Sequence, residues 1–135
     1  MEISKLVHLF SSDANVSAAS KLLNDVKTLS IKGLHGSAKA LFAASLFRRT
    51  PKTYVYIFND LENAGYFYHD LNQIFDRKNV LFFPSAYKRA AKYGQIDSAN
   101  EILRTEVLAQ LHKSAQHNII VTYPDALAEK VVSQE

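Results

Sequence analysis

Short apolar runs alternate with helix-like segments along this chain of 135 residues. The run Tyr54-Val55-Tyr56-Ile57-Phe58 is continuously apolar and aromatic, which is typical of a strand buried on both faces of a parallel sheet. Strands alternating with helices, joined by right-handed crossovers, predict an α/β fold in which a parallel sheet carries helices on both faces. The four predicted strands cover residues 28–32, 54–58, 80–83 and 119–122.

The spacing of apolar residues predicts the helices between these strands. A short amphipathic helix is expected at the start of the chain, and a second one after a break at Ser11-Ser12-Asp13. The segment from about Ser37 to Arg49 is apolar almost all round, so we expect it to be packed on several sides. Two later helices are expected to begin at capping boxes, Asn59 with Glu62 and Ser98 with Glu101.

Composition favours one globular domain. Hydrophobic residues make up 47% of the chain, charged residues 21%, and cysteine is absent, which excludes disulfides and thiolate chemistry. No apolar run approaches the roughly 18 residues of a membrane span, and a signal peptide is not recognisable, so a cytoplasmic protein is expected. The net charge of +3 permits contact with nucleic acid without arguing for it. We expect a single α/β domain over 1–135, with a helical lead-in at 1–26 and the core at 27–135, from the N-terminus of a longer multidomain protein.

Residues 33–40, Gly-Leu-His-Gly-Ser-Ala-Lys-Ala, approximate the phosphate-binding Walker A pattern G-x-x-x-x-G-K-[ST]. Ala38 replaces the second glycine, and Ala40 replaces the residue whose hydroxyl holds Mg²⁺. A helix whose first N–H groups point outward, with a lysine beside them, still attracts anions. The alternative is a plain turn with its lysine in solvent. The candidate anion site consists of Gly33, Gly36, Ser37 and Lys39.

Two further features concern binding. The stretch 87–93 mixes basic and aromatic residues, as single-stranded nucleic-acid sites do, and Lys88, Arg89 and Lys92 are candidates for weak contacts; an ordinary solvated loop is the alternative. The rings of residues 66–68 cannot all face the core of one helix, so we expect some of them, together with Val131 and Val132, to be exposed or to cover another domain.

Catalytic and metal-binding patterns are not found. The five histidines are scattered without metal-ligand spacing, and no nucleophile stands in an evident Ser/His/Asp arrangement. We therefore predict no catalytic residue, no metal and no cofactor.

Four segments together resemble the N-terminal region of the bacterial transcription-repair coupling factor (Mfd) family. They occur in the same order and with similar spacing, over about residues 25–132. The segments are the loop 33–41, Asn59-Asp60-Leu61-Glu62-Asn63-Ala64, Val80-Leu81-Phe82-Phe83-Pro84 and the run 119–127, Ile-Ile-Val-Thr-Tyr-Pro-Asp-Ala-Leu.

The resemblance implies a RecA-like half-domain similar to that of the excision-repair damage-recognition subunit (UvrB), with a degenerate Walker A loop. In the family this module has lost ATP hydrolysis and recruits the damage-scanning protein (UvrA), through an insertion expected downstream of this chain. Contacts with DNA and RNA polymerase would be made by other domains of the parent, an ATP-dependent DNA translocase. The segment 85–97 is too short for the DNA-clamping hairpin of the damage-recognition subunit.

Two other functions remain open from the residues alone. One is a small P-loop kinase or ATPase with an atypical phosphate loop, which needs a Mg²⁺-binding hydroxyl and an acidic strand end. The other is a free-standing nucleic-acid-binding domain, whose affinity for DNA would fall steeply with salt.

Overall fold

The computed structural model describes residues 2–75, 79–87, 95–113 and 115–131. Helices and strands alternate through these ranges after two initial helices. In chain order they are α1 (Ile3–Ser11), α2 (Ala14–Leu22), α3 (Ala38–Arg49), β1 (Tyr54–Ile57), α4 (Leu61–Ile74), β2 (Val80–Phe83), α5 (Ser98–Leu111), β3 (Ile119–Thr122) and α6 (Pro124–Leu127).

The three strands form a parallel sheet in the order β1-β3-β2. The last strand in the chain is thus the central one, and all four of its residues are buried. Val121 of β3 pairs with Tyr56 on one side and with Phe82 on the other, so these three residues share one face of the sheet. The α/β class and the parallel sheet agree with the sequence prediction.

Helices cover both faces of this sheet. On the face of Tyr56 and Phe82, α4 packs with its Tyr68 ring 5.0 Å from Phe82 and its Phe67 ring 5.0 Å from Tyr56. On the opposite face, α5 places the Arg104 guanidinium 4.1 Å from the centre of the Phe83 ring. Successive residues of a strand point to opposite faces, so α4 and α5 lie on opposite sides of the sheet.

Helix α3 is packed on several sides, as its composition predicts. It contacts α1, α2 and α4, and six of its residues from Ala40 to Leu46 are buried. Polar contacts secure α1 and α2 to it: Ser45 donates to the Val7 carbonyl at 3.3 Å, and Arg49 donates to Ser17 Oγ at 2.8 Å. The start of α3 lies near the end of β1, because Lys39 Nζ is 6.0 Å from the centre of the Phe58 ring.

The prediction of a strand at 28–32 is wrong. Residues 28–35 have neither helical nor strand geometry, and no backbone hydrogen bond joins them to the sheet among the described residues. Leu29 is half-buried against the cluster that contains Val16 and Phe42, whereas Ile31 is exposed. An extended segment becomes a strand only when a neighbour accepts and donates its hydrogen bonds, and no described part of the chain does so for this segment.

The prediction that β1 is buried on both faces is also wrong. Val55 and Ile57 are 53% and 59% exposed, while Tyr54 and Tyr56 are half-buried against the opposite face. The reason is position, because β1 lies at the edge of the sheet and α5 packs mainly against β2.

Helix starts were predicted to within one residue. Asp13 caps α2 as expected, accepting from the N–H of Asn15 at 2.8 Å. The cap of α4 is Asp60 rather than Asn59, and that of α5 is Asp97 rather than Ser98. A neighbouring aspartate competes with asparagine or serine because its carboxylate also interacts favourably with the helix dipole.

Of the rings at 66–68, only Tyr66 is largely exposed, at 67%. Phe67 is buried and Tyr68 is half-buried against β2, so the expected exposure holds for one ring. Val131 is exposed, and Val132 lies outside the described residues.

Candidate functional site at the start of helix α3

Two glycines shape the loop that leads into α3. Gly33 has φ 86° and Gly36 has φ 52°, both in the left-handed region that side chains other than glycine rarely adopt. A Cβ atom at either position would meet no atom within 4 Å. Glycine is therefore favoured there by the backbone conformation and not by a lack of room for a side chain. Gly33, which matches the first glycine of the phosphate-loop pattern, and Gly36 therefore serve a turn in this structure.

The first N–H groups of α3 are directed back into this turn. Ala38 N donates to the His35 carbonyl at 3.1 Å, and Ala40 N donates to the Ser37 carbonyl at 3.1 Å. Lys39 N donates to the Gly36 carbonyl at 3.3 Å. These bonds engage three N–H groups at the start of α3 and make them less available to an anion, while the anion site itself stays a prediction.

An open hollow of about 360 Å³ lies beside this turn. It is next to Phe58, which directly follows β1, and carboxyl ends of parallel strands are where such sheets bind ligands. The structure brings three of the four predicted residues to this hollow, while Gly33 lines a separate groove between α1 and α2. The lining residues are Gly36, Ser37, Lys39, Phe58, Asn63, Tyr66, Phe67 and Asp70.

The charges in the hollow have mixed sign. Lys39 is exposed, and its Nζ lies 6.0 Å from the centre of the Phe58 ring. Asp70 lines the same hollow, so a carboxylate faces the space that an anion would occupy. The arrangement suits a weakly held monoanion better than a polyphosphate, because the carboxylate repels negative charge and α3 offers few available N–H groups.

Ala40 stands where a nucleotide-hydrolysing loop has its Mg²⁺-binding hydroxyl. It is 1% exposed and packs in the main core cluster with Ala43 and Ala64. Its side chain thus points into the protein rather than toward the hollow, and it carries no oxygen. Within the described ranges, no group of three or more His, Cys, Asp or Glu side chains is placed to hold a metal ion.

A second polar cluster, which the sequence analysis missed, lies at the carboxyl ends of β2 and β3. Arg104 of α5 is 5% exposed, and its guanidinium donates to the carbonyls of Pro84 at 2.8 Å and Ala126 at 2.9 Å. It also forms an ion pair of 3.4 Å with Glu129. The sequence indicated the burial of Arg104 only through its position. Arg104 precedes the buried Val107 by three residues and therefore shares its helical face.

Glu129 extends this cluster to the segment after β2. Its carboxylate accepts from the N–H of Ala86 at 2.9 Å and from the Ser85 hydroxyl. The Tyr123 hydroxyl accepts from the N–H of Ser85 at 2.8 Å. These bonds join the segment after β2 to α5 and to the segment after α6.

The segment after Ala86 begins as a short antiparallel ribbon. Tyr87 and Ile96 form an isolated antiparallel bridge, and Asp97 N donates to the Ala86 carbonyl at 2.6 Å. The candidate nucleic-acid contacts Lys88, Arg89 and Lys92 lie outside the described residues.

The sequence matches no known family model, and it matches neither a curated protein nor a solved structure. None of the described helices has the length and apolarity needed to cross a membrane.

Proposed function

We propose that this chain is a non-catalytic interaction module, a RecA-like half-domain with a degenerate Walker A loop from a transcription-repair coupling factor. The observation that carries the loss of catalysis is the buried Ala40. A nucleotide-hydrolysing loop needs a hydroxyl that reaches Mg²⁺ at this position, and a buried methyl group cannot supply it.

The surroundings of the loop support the same proposal. Hydrogen bonds within the turn engage the N–H groups of Ala38 to Ala40, and Asp70 opposes negative charge in the adjoining hollow. The assignment to the coupling-factor family rests on the order and spacing of the four sequence segments. In that setting the module is a scaffold, which helps recruit the excision-repair machinery to a stalled RNA polymerase.

The partners follow from this setting. The damage-scanning protein (UvrA) would bind through a segment downstream of this chain, and other domains of the parent would contact DNA and RNA polymerase. The module itself would dock against its neighbouring domains, and its cofactor requirement would be nil.

The test uses the parent gene in its host. Removal of the codons for residues 1–135 is expected to abolish preferential repair of the transcribed strand while the parent's DNA-stimulated ATPase persists. The matched variant Lys39→Ala is expected to keep both activities, because the loop lysine has no catalytic task. Loss of ATPase in Lys39→Ala, or normal strand-specific repair after the deletion, would overturn the proposal.

A further inference from the structure

A second hollow, of about 280 Å³, lies beside the buried guanidinium of Arg104, and we call it the α5 hollow. The Glu129 carboxylate forms part of its wall and pairs with Arg104 at 3.4 Å. The same carboxylate accepts from the N–H of Ala86 at 2.9 Å and from the hydroxyl of Ser85. A guanidinium, a backbone N–H and a hydroxyl that converge on two anionic oxygens make a built carboxylate-binding arrangement.

The three donors are held in place by contacts that do not involve the Glu129 side chain. Arg104 donates to two backbone carbonyls, at 2.8 and 2.9 Å, and its guanidinium lies 4.1 Å from the centre of the Phe83 ring. The N–H of Ser85 donates to the buried Tyr123 hydroxyl at 2.8 Å. The donors therefore belong to α5 and to the end of the sheet, and they stay arranged for a carboxylate whichever molecule supplies it.

The carboxylate, in contrast, comes from a segment with few other attachments. Glu129 lies two residues beyond the end of α6, and Lys130 and Val131 after it are exposed. The N–H groups of residues 129–131 donate to no backbone carbonyl of the described ranges. Departure of the Glu129 side chain would thus disturb little structure, but it would leave the buried Arg104 cation uncompensated, so another anion has to replace it.

The remaining walls of the α5 hollow indicate the body of such an anion. Tyr87, Ile96, Leu108 and Val131 line the space with apolar side chains. Its volume lies just below the range of about 300–1,000 Å³ that is usual for small-molecule sites. Glu101 lines the same hollow and would repel additional negative charge. A small acid with one carboxylate and an apolar body therefore fits better than a phosphate dianion.

We propose that the α5 hollow binds a small monocarboxylate with an apolar body, and that Glu129 is the resident carboxylate which this ligand displaces. The protein occupies its own site until the ligand arrives, so the apparent affinity is lowered by the fraction of molecules in which Glu129 is bound. Displacement releases residues 129–131 from Arg104, and ligand binding is thereby coupled to the freedom of this segment. The inference does not depend on the proposed function.

Calorimetric titration with phenylacetate tests the binding. Glu129→Ala is expected to bind phenylacetate at least about 10-fold more tightly than the unsubstituted chain, because the internal competitor is gone. The matched control Glu101→Ala, which removes an exposed carboxylate of the same hollow, should change the affinity much less. Neither the neutral analogue phenylacetamide nor inorganic phosphate should bind. Equal affinities of Glu129→Ala and the unsubstituted chain, or equal binding of phenylacetamide and phenylacetate, would overturn the inference.

Nuclear magnetic resonance of the unsubstituted chain keeps the test decisive if Glu129→Ala does not fold. Saturating phenylacetate is expected to shift the amide resonance of Ala86, whose N–H exchanges one carboxylate for another. It should also lower the backbone order parameters of Lys130 and Val131. The amide of Phe58, bonded to the Thr122 carbonyl, is the control and should keep its resonance. An Ala86 resonance that does not move, or a Val131 that stays equally ordered, would refute the displacement.

Discussion

At the scale of single residues, Arg104 is the centre of a buried polar network. Replacement by methionine keeps an unbranched apolar stem but removes the guanidinium group and its charge. The Glu129 carboxylate, 14% exposed, would lose its cation, and the Pro84 and Ala126 carbonyls would lose a donor. We expect Arg104→Met to lower the free energy of unfolding by about 3–5 kcal/mol, as measured by urea denaturation.

The control for this prediction is Arg48→Met. Arg48 is exposed and interacts with the Phe75 ring at 5.7 Å, so its loss is expected to cost below about 1 kcal/mol. Equal effects of the two substitutions would contradict the structural role of Arg104.

The Tyr56 hydroxyl is expected to make the stability of the folded protein fall at alkaline pH. Burial raises the pKa of its hydroxyl, and the neighbouring Tyr54 raises that pKa further. In the unfolded chain the hydroxyl ionises near its ordinary value of about 10, whereas in the folded protein it stays neutral to higher pH. Its contribution to stability is thus complete below about pH 10 and is lost as the pH rises toward the folded pKa.

We therefore expect Tyr56→Phe to flatten the fall in melting temperature above about pH 10, with little change at pH 7. Tyr66→Phe, at an exposed position on α4, serves as the control and should leave the alkaline profile unchanged. An unaltered alkaline fall in Tyr56→Phe would show that other groups cause it.

At the scale of secondary-structure elements, the start of α4 depends on Asp60. Its carboxylate accepts from the N–H of Asn63 at 2.8 Å and from the side-chain amide of the same residue at 2.9 and 3.0 Å. Asp60→Ala is expected to lower the free energy of unfolding by about 1 kcal/mol in chemical denaturation. Asp25→Ala, in the exposed turn after α2, should have almost no effect. A neutral Asp60→Ala would mean that another group replaces the cap.

At the scale of the whole molecule, the buried Ala40 and the occupied N–H groups predict that Mg-ATP is not bound usefully. Calorimetric titration is expected to give a dissociation constant weaker than about 1 mM. Ala40→Ser, which introduces a hydroxyl inside the core, should destabilise the protein without improving that constant. A constant in the low micromolar range, about −8 kcal/mol, would refute the prediction.

Recognition of damaged DNA is not expected of this chain alone. The segment between Pro84 and Asp97 is short, and its base is the ribbon at Tyr87 and Ile96. Gel-shift measurements with lesion-bearing and intact duplexes should give equal, weak binding that decreases with added salt. A clear preference for the lesion would contradict this expectation.

Local pattern in the sequence determined the helices and the class of the fold. The apolar segment at 37–49 and the runs at 54–58, 80–83 and 119–122 are enough to predict α3 and three parallel strands. These features follow from residues close together in the chain, so the signal is complete within each segment. The glycines at 33 and 36 likewise indicated a turn, and three of the four residues predicted around it line one hollow.

Only the tertiary structure decided which segments pair as strands and which side chains are buried. Residues 28–32 have the alternation of a strand but pair with no described part of the chain. Strand β1 is apolar on both faces but is covered on one by the described residues. Arg104 is buried because carbonyls from two distant segments converge on it, which no local pattern encodes. Strand pairing and burial depend on atoms far away in the chain, and for that reason the sequence by itself could not determine them.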